Sequence, residues 1–99
     1  MLVHNVFFWL KNKDNDADRK ALLEGIESLR AIESIKTAYI GTPASTRRPV
    51  IDATYDFAEM MVFEDMAAHD IYQVHPLHTK FIEDCAHLWD KVVIYDAEV

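Results

Sequence analysis

The chain has 99 residues, of which 51% are hydrophobic, and a formal net charge of −7. A chain of this length forms one domain, here residues 1–99, and gains from burying more surface against a partner. Nucleic acids and anionic membranes both bind through a basic face, and the only basic doublets here are Arg19-Lys20 and Arg47-Arg48. The sequence therefore predicts a protein that binds neither.

Signals for export or membrane insertion are also lacking. The start of the chain, Met1 to Asn5, has no basic segment of the signal-peptide type, and no stretch is long and apolar enough to span a bilayer. The single cysteine, Cys85, rules out an internal disulfide framework. We therefore expect a cytoplasmic protein in which Cys85 is a buried, inert thiol.

The first predicted element is a strand over residues 2–10, which is rich in β-branched and aromatic side chains. His4, Val6 and Phe8 alternate with residues that are also mostly apolar, including Phe7 and Trp9. A sheet with one face in water would not tolerate such a strand. Both faces must therefore be covered, and a homodimer with its two sheets packed face to face would cover the second one.

The next elements follow from periodicity. A helix is predicted from an N-cap at Asn15 or Asp16, because apolar residues recur at spacings of four, three and three: Leu22, Ile26, Leu29 and Ile32. Residues 35–41 and 53–63 read as the second and third strands, joined by a loop over Thr42–Pro49. Glu64-Asp65 signals the start of another helix.

A final strand over residues 89–97 completes the order β-α-β-β-α-β. This order predicts an α+β, ferredoxin-like fold with both helices on one face of a four-stranded antiparallel sheet. With the strand order 4-1-3-2, the first strand lies beside the fourth. His4 and Asp96 are then expected to be close at one end of the sheet.

The segment from Tyr72 to His78 carries the clearest signal for a site. Pro76 ends the preceding helix near Val74 or His75 and starts a new one, so Tyr72, His75 and His78 gather at an elbow. His78 also begins an apolar stripe of helical spacing that continues with Ile82, Cys85 and Trp89. Each residue alone has an ordinary structural interpretation, His78 and Tyr72 as core residues and His75 as a helix end, and only the group indicates a site.

The same segment also raises the question of a metal site. His75 and His78 are three residues apart and could chelate, but zinc needs a third converging ligand. Cys85 lies about two helical turns from His78, roughly 10 Å along the axis. The spacing therefore predicts no metal.

Three segments resemble the stress-responsive dimeric α/β-barrel family, often called Dabb. They are His4 to Lys11, Asp56-Phe57-Ala58 leading into Phe63-Glu64, and the run Tyr72-x-x-His75-Pro76-x-His78 with Phe81. The family includes plant stress proteins without firm chemistry and a plant polyketide cyclase, olivetolic acid cyclase. The resemblance implies a homodimeric α/β barrel with a pocket between the sheet and the helices.

For activity, the resemblance implies cofactor-free and metal-free aldol-type chemistry in which His78 is the base and Tyr72 polarises a carbonyl. It places His4, His75 and Asp96 in or beside the substrate pocket. The two acid–base roles suit this chemistry, because removing a proton next to a carbonyl needs a base active near neutral pH and a donor for the enolate.

Glu59 departs from the cyclase pattern, in which the corresponding position is apolar. It shares a face with Phe57 and Met61, so its carboxylate reaches solvent, pairs with a histidine, meets a polar ligand, or is a hydrogen-bonded structural group. We include Glu59 in the predicted substrate-binding set together with Val6 and Phe8. A long alkyl polyketide is not favoured as the substrate.

Two functions remain open from the sequence. The first is a small-molecule-binding protein that acts as a cofactor-free cyclase or lyase on a carbonyl compound through Tyr72 and His78. The alternative is a non-catalytic, stress-associated structural or binding protein whose histidines are core residues. Whether the protein is an enzyme is therefore left undecided by the sequence.

Overall fold

The computed structural model describes residues 1–99 as a four-stranded antiparallel sheet and three α-helices. In chain order the elements are β1 (Leu2–Leu10), α1 (Asp16–Ser28), β2 (Thr37–Gly41), β3 (Phe57–Phe63), α2 (Met66–Val74), α3 (Pro76–Cys85) and β4 (Trp89–Glu98). The strand order is β2-β3-β1-β4. The predicted ferredoxin-like fold and strand order are confirmed, with the second helix divided into α2 and α3.

The central strand β1 separates the two faces of the sheet by strict alternation. Its even-numbered residues are all buried, while the odd-numbered ones from Val3 to Trp9 are half-buried. The buried face packs against apolar residues of the helices: Leu22, Ile26, Tyr72, Phe81 and Cys85. Because side chains alternate along a strand, one hydrophobic core forms on the helical side only.

The opposite face of the sheet is not covered by helices. Phe7 packs against Tyr55 of the loop before β3, with ring centroids 5.0 Å apart, and against Tyr95 of β4 at 6.2 Å. The ammonium of Lys91 lies 4.5 Å from the centre of the Trp9 ring. Tyr95 is nevertheless 65% exposed, so much of this aromatic surface stays open within one chain.

Local capping explains where the helices begin. Asn15 accepts a hydrogen bond from the backbone N–H of Asp18 at 3.0 Å, and Asp65 accepts one from Ala68 at 2.9 Å. Pro76 occupies the first turn of α3 directly after α2 ends, so the predicted helix break is confirmed. No helix has the length and apolar character needed to span a membrane.

Several predicted boundaries were wrong. β3 begins at Phe57 rather than at residue 53. The neighbouring strand β2 ends at Gly41, opposite Ala58, so residues 53–56 have no strand to pair with on that side of the sheet. β2 begins two residues later than predicted, and β4 extends to Glu98. Ile82 is 40% exposed, and the buried stripe of α3 runs through Phe81 and Cys85 instead.

The buried carboxylate of Asp56 anchors the loop that leads into β3. Its Oδ2 accepts hydrogen bonds from the backbone N–H of Leu10 at 2.8 Å and from Lys13 Nζ at 2.6 Å. Its Oδ1 accepts from Arg19 Nη2 at 2.7 Å, and its own N–H donates to Phe8 O at 2.8 Å. These contacts tie β1, α1 and the start of β3 together.

Candidate functional site

A cavity of about 120 Å³ lies between the helix elbow and the buried face of the sheet. Its polar walls come from His4, Glu59, Tyr72, Gln73 and His78. The remaining walls are apolar: Val6, Phe8, Phe81, Ile82, Trp89, Val92 and Ile94. The structure therefore brings six of the predicted site residues together around one cavity: His4, Val6, Phe8, Glu59, Tyr72 and His78.

Tyr72 and His78 face each other across the helix break. Tyr72 lies in the last turns of α2 and His78 at the start of α3, and their ring centroids are 4.8 Å apart. Tyr72 is almost fully buried, with 1% exposed, whereas His78 is half-buried. The break at Pro76 thus places a phenol and an imidazole at the same wall of the cavity.

Glu59 is the most unusual group in the cavity. It lies on β3 between Val6 of β1 and Ile40 of β2, and only 2% of it is exposed. Its Oε1 accepts a hydrogen bond from the Tyr72 hydroxyl at 3.4 Å, but its Oε2 is buried without any hydrogen-bond partner. A buried carboxylate oxygen without a partner is energetically costly, and this one lies at the wall of a cavity.

The environment of the cavity shifts the acid–base properties of its groups. Burial raises the pKa of Glu59 to about 7, and the bond from Tyr72 opposes this only in part. Burial and the neighbouring Glu59 raise the pKa of the Tyr72 phenol, which therefore stays protonated. Burial, with His4 and His69 nearby, lowers the pKa of His78 below its usual 6.5. At neutral pH the cavity thus holds a neutral imidazole, a phenol and a carboxyl group that is partly protonated.

His4 and Asp96 form a pair at the neighbouring end of the sheet. They are direct partners across β1 and β4, and His4 Nδ1 lies 2.5 Å from Asp96 Oδ1. Burial lowers the pKa of His4, although the Asp96 hydrogen bond acts in the opposite direction. The predicted proximity is confirmed, with His4 lining the cavity and Asp96 contacting His4 from outside it.

His75 does not line the cavity. Its Nδ1 accepts a hydrogen bond from the backbone N–H of Leu77 at 3.0 Å, which makes it the N-cap of α3. Its Nε2 lies 3.9 Å from Glu33 Oε2. Because its ring is held in this cap, His75 contacts a different part of the molecule from His78, and the two do not converge on one point.

His69 was missed by the sequence reasoning. Its ring centroid lies 5.3 Å from that of His4 and 6.3 Å from that of Tyr72. A signal was present, because His69 precedes Tyr72 by three residues and so shares its helical face. One ligand atom each of His4, His69 and Asp96 lies within 4.8 Å of the others, which makes these three residues the group that could hold a metal ion.

The fold and the cavity define a class: a ferredoxin-like α+β domain with a small pocket between its sheet and its helices. Residues 2–99 match the model of the Stress responsive A/B Barrel Domain family, Dabb, and the chain belongs to this family. A comparison with curated proteins found no match.

Solved structures share the whole fold. A Dabb family protein with a ferredoxin-like fold from Mesorhizobium loti is 28% identical, with a TM-score of 0.81 over 99% of this chain and 95% of that one. A dimeric ferredoxin-like protein of unknown function from Thermobifida fusca is 18% identical, with a TM-score of 0.78 over 99% and 90%. Hydroxynitrile lyase from Passiflora edulis is also 18% identical, with a TM-score of 0.78 over 99% and 92%. At 18% identity the last two show the fold alone.

Proposed function

We propose that the protein binds a small carbonyl compound in the cavity and catalyses cofactor-free proton transfer or aldol-type chemistry on it. The observation that carries this proposal is that the rings of Tyr72 and His78, with centroids 4.8 Å apart, line the same cavity. The lowered pKa of His78 favours the neutral, basic form of its ring at neutral pH. The raised pKa of Tyr72 favours a phenol that donates a hydrogen bond.

In the proposed reaction, a ring nitrogen of His78 removes a proton from the carbon next to the carbonyl. The electron pair of the broken C–H bond moves to the carbonyl oxygen. The Tyr72 hydroxyl turns from its long bond to Glu59 Oε1 and donates to this enolate oxygen instead. The enolate carbon then forms a bond to a second carbonyl carbon, whose oxygen becomes an alkoxide. The His78 imidazolium returns its proton to that alkoxide. The same steps in reverse cleave a carbon–carbon bond, as a lyase does.

The size of the cavity limits the substrate. Its volume is about 120 Å³, and an engineered cavity of about 150 Å³ is known to hold a benzene molecule. A compound of a few carbon atoms therefore fits inside the cavity, whereas a long alkyl chain would have to extend past Ile82, Val92 and Ile94 into solvent. The small volume supports a small-molecule ligand, and the hydroxynitrile lyase from Passiflora edulis shares the fold.

Glu59 supplies the proposed polar contact to the ligand. Its unpartnered Oε2 would accept a hydrogen bond from a ligand hydroxyl when ionised, or the carboxyl would donate one when protonated. Val6 and Phe8 would pack against the carbon skeleton of the ligand. His4, held by Asp96, would complete the binding surface, whereas His75 would act only through the cap of α3.

The alternative function is a non-catalytic, stress-associated structural or binding protein. The observation that favours it is the packing of the His78 ring between two aromatic rings. Its centroid lies 4.8 Å from that of Tyr72 and 6.5 Å from that of Phe81, an arrangement typical of a core residue. Under this alternative, the neutral imidazole contributes to packing, and the cavity holds a ligand without turnover.

Replacing His78 and Tyr72 separates the two functions. His78→Gln keeps a polar side chain of similar size but removes the base, so turnover of a small aldehyde or ketone should fall by roughly 10²–10⁴-fold. Tyr72→Phe should also reduce the rate, and the two losses should be non-additive because both groups act on one transition state. Turnover is measured on a panel of short carbonyl compounds, and thermal melting provides the control for folding. Inactivity of the parent, with both variants merely less stable, would support the alternative.

We also propose a homodimer through the open face of the sheet. Phe7, Trp9 and Tyr95 form an aromatic surface there, and the neighbour from Thermobifida fusca is described as dimeric. Trp9→Glu places a charge in that surface and should produce monomers or insoluble protein. Light scattering measures the mass, and a stable monomer of the unmodified chain would contradict this assembly.

A further inference from the structure

A second polar cluster shares His4 with the cavity, and none of its members carries out a step of the proposed reaction. It consists of His4 on β1, His69 on α2 and Asp96 on β4, which we call the His–His–Asp cluster. We propose that this cluster binds one divalent transition-metal ion of the Zn²⁺ type. The proposal rests on the convergence of three metal-ligating side chains from three different elements at one end of the sheet.

The spacing of the cluster is close to that of a metal site. Its three ligand atoms lie within 4.8 Å of one another. Atoms bound to one tetrahedral zinc at about 2.1 Å are about 3.4 Å apart, so the longest separation must shorten by roughly 1.4 Å. His4 is fixed in the central strand and only 3% exposed, whereas Asp96 on the edge strand has a side chain that is 41% exposed. Rotation of the His69 side chain toward the other two ligands can supply this contraction, while the exposed Asp96 side chain moves outward from His4.

The pair formed by His4 and Asp96 already resembles half of such a site. Their Nδ1 and Oδ1 atoms are 2.5 Å apart, at hydrogen-bond distance, and a cation placed between them would replace this bond while the two atoms move apart. His69 then brings a second imidazole, since its ring lies edge-on to the His4 ring at a centroid distance of 5.3 Å. The Phe63 ring packs against both histidines, at 6.1 Å from His4 and 5.5 Å from His69, and shields this side of the cluster.

The donor atoms select the kind of metal. Two imidazole nitrogens and one carboxylate oxygen suit Zn²⁺, Co²⁺, Ni²⁺ or Cu²⁺, whereas Mg²⁺ and Ca²⁺ prefer oxygen ligands throughout. Three protein ligands also leave a coordination position for water, as in catalytic rather than structural zinc sites. The ligand is therefore a borderline transition-metal ion in an open, three-ligand site that differs from the pair of His75 and His78 considered from the sequence.

The site is tested by titrating the metal-free full-length protein with Zn²⁺ in a calorimeter, and with Co²⁺ while recording its visible absorption bands. We expect one ion per chain, tetrahedral-type Co²⁺ bands, and a higher melting temperature with Zn²⁺. His69→Gln should weaken Zn²⁺ binding by at least about 100-fold, since it removes a ligand outright and even loss of an outer-shell partner costs 10–100-fold.

Two further variants keep the test decisive. Asp96→Asn keeps the size of an exposed side chain and should weaken binding in the same way. His87→Gln, which removes a surface histidine outside the cluster, should bind Zn²⁺ like the parent. The proposal is overturned if the parent binds no Zn²⁺, or if all three variants bind it equally well, since surface histidines would then account for the binding.

Discussion

Two buried carboxylates three residues apart show how differently this fold treats the same chemical group. Asp56, 7% exposed, accepts hydrogen bonds from the Leu10 backbone, Lys13 and Arg19, all at 2.8 Å or less. Glu59, 2% exposed, has one long bond from Tyr72 and one oxygen without a partner. The first carboxylate holds elements together, and the second lies at the wall of a cavity.

The two environments shift the pKa values in opposite directions. Burial alone would raise the pKa of Asp56, but the bonds from Lys13, Leu10 and Arg19 together hold it below its usual value. Burial raises the pKa of Glu59 to about 7 because the single Tyr72 bond is too weak to compensate. A buried charge satisfied inside the chain therefore indicates a structural role, whereas an unsatisfied one at a cavity indicates a place for a ligand.

The largest effect on stability is expected from breaking the satisfied carboxylate. Asp56→Ala leaves the Leu10 N–H without a partner and the cations of Lys13 and Arg19 without a counter-charge, so the free energy of unfolding should fall by about 3 kcal/mol. Urea denaturation at neutral pH measures this loss. Asp52→Ala provides a matched control, because Asp52 lies in the same loop but is exposed. Equal stability of the two variants would show that the hydrogen bonds of Asp56 do not stabilise the fold.

Removing the carboxylate of Glu59, which lacks a full set of partners, should instead increase the free energy of unfolding. Between about pH 4.5 and pH 7 folded Glu59 keeps a proton that the unfolded chain has released, so its contribution to stability is lost as the pH rises through this window. The Glu59→Gln variant has no carboxyl group to ionise and should therefore be more stable than the parent at about pH 8. The expected gain is roughly 2 kcal/mol, because burying the polar amide still costs some free energy.

The comparison of two pH values makes this prediction specific. At about pH 4, where Glu59 is mostly protonated in both the folded and the unfolded protein, the variant should gain almost nothing. Denaturation midpoints of parent and variant at both pH values provide the measurement. A gain of the same size at each pH would indicate better packing rather than relief of a buried charge.

The smallest expected effect concerns ligand choice. Glu59→Val replaces the carboxylate with an apolar group, so a short alkyl ketone should bind about tenfold more tightly, and its hydroxyl-bearing analogue should lose affinity. Thermal shift with the matched pair of compounds detects the change, and Glu64→Val, at an exposed position just after β3, is the control. Unchanged preference in Glu59→Val would place the carboxylate outside the binding surface.

Most of the fold could be predicted because it depends on local patterns. The alternation of β1, the caps at Asn15 and Asp65 and the break at Pro76 are all encoded by neighbouring residues. The start of β3 could not be predicted, since it depends on where the partner strand β2 ends. Gly41, the last residue of β2, lies sixteen positions before Phe57, the first residue of β3. The residues around Phe57 therefore carry no local signal for this boundary.

The site was predictable to a similar extent. Tyr72 and His78 share one short segment, and His4 and Asp96 are aligned by the strand order, so their positions followed from the sequence. His75 belongs to the same segment but is turned away because its ring accepts the Leu77 N–H, and ring orientation is not encoded by spacing. Glu59 Oε2 has no hydrogen-bond partner because of how the surrounding side chains pack in three dimensions, and residue spacing in the sequence does not reveal this.

The helix break at Pro76 has a consequence for how this site can diversify. The seven consecutive residues from Tyr72 to His78 fix the phenol and the imidazole relative to each other, whatever the sheet carries opposite them. The groups that would recognise a ligand, Glu59, Val6 and Phe8, lie on strands far away in the chain. Substitutions on β1 and β3 can therefore change the sheet side of the cavity while the pair of Tyr72 and His78 stays unchanged. Such a division lets one scaffold evolve toward new small molecules by altering the sheet alone.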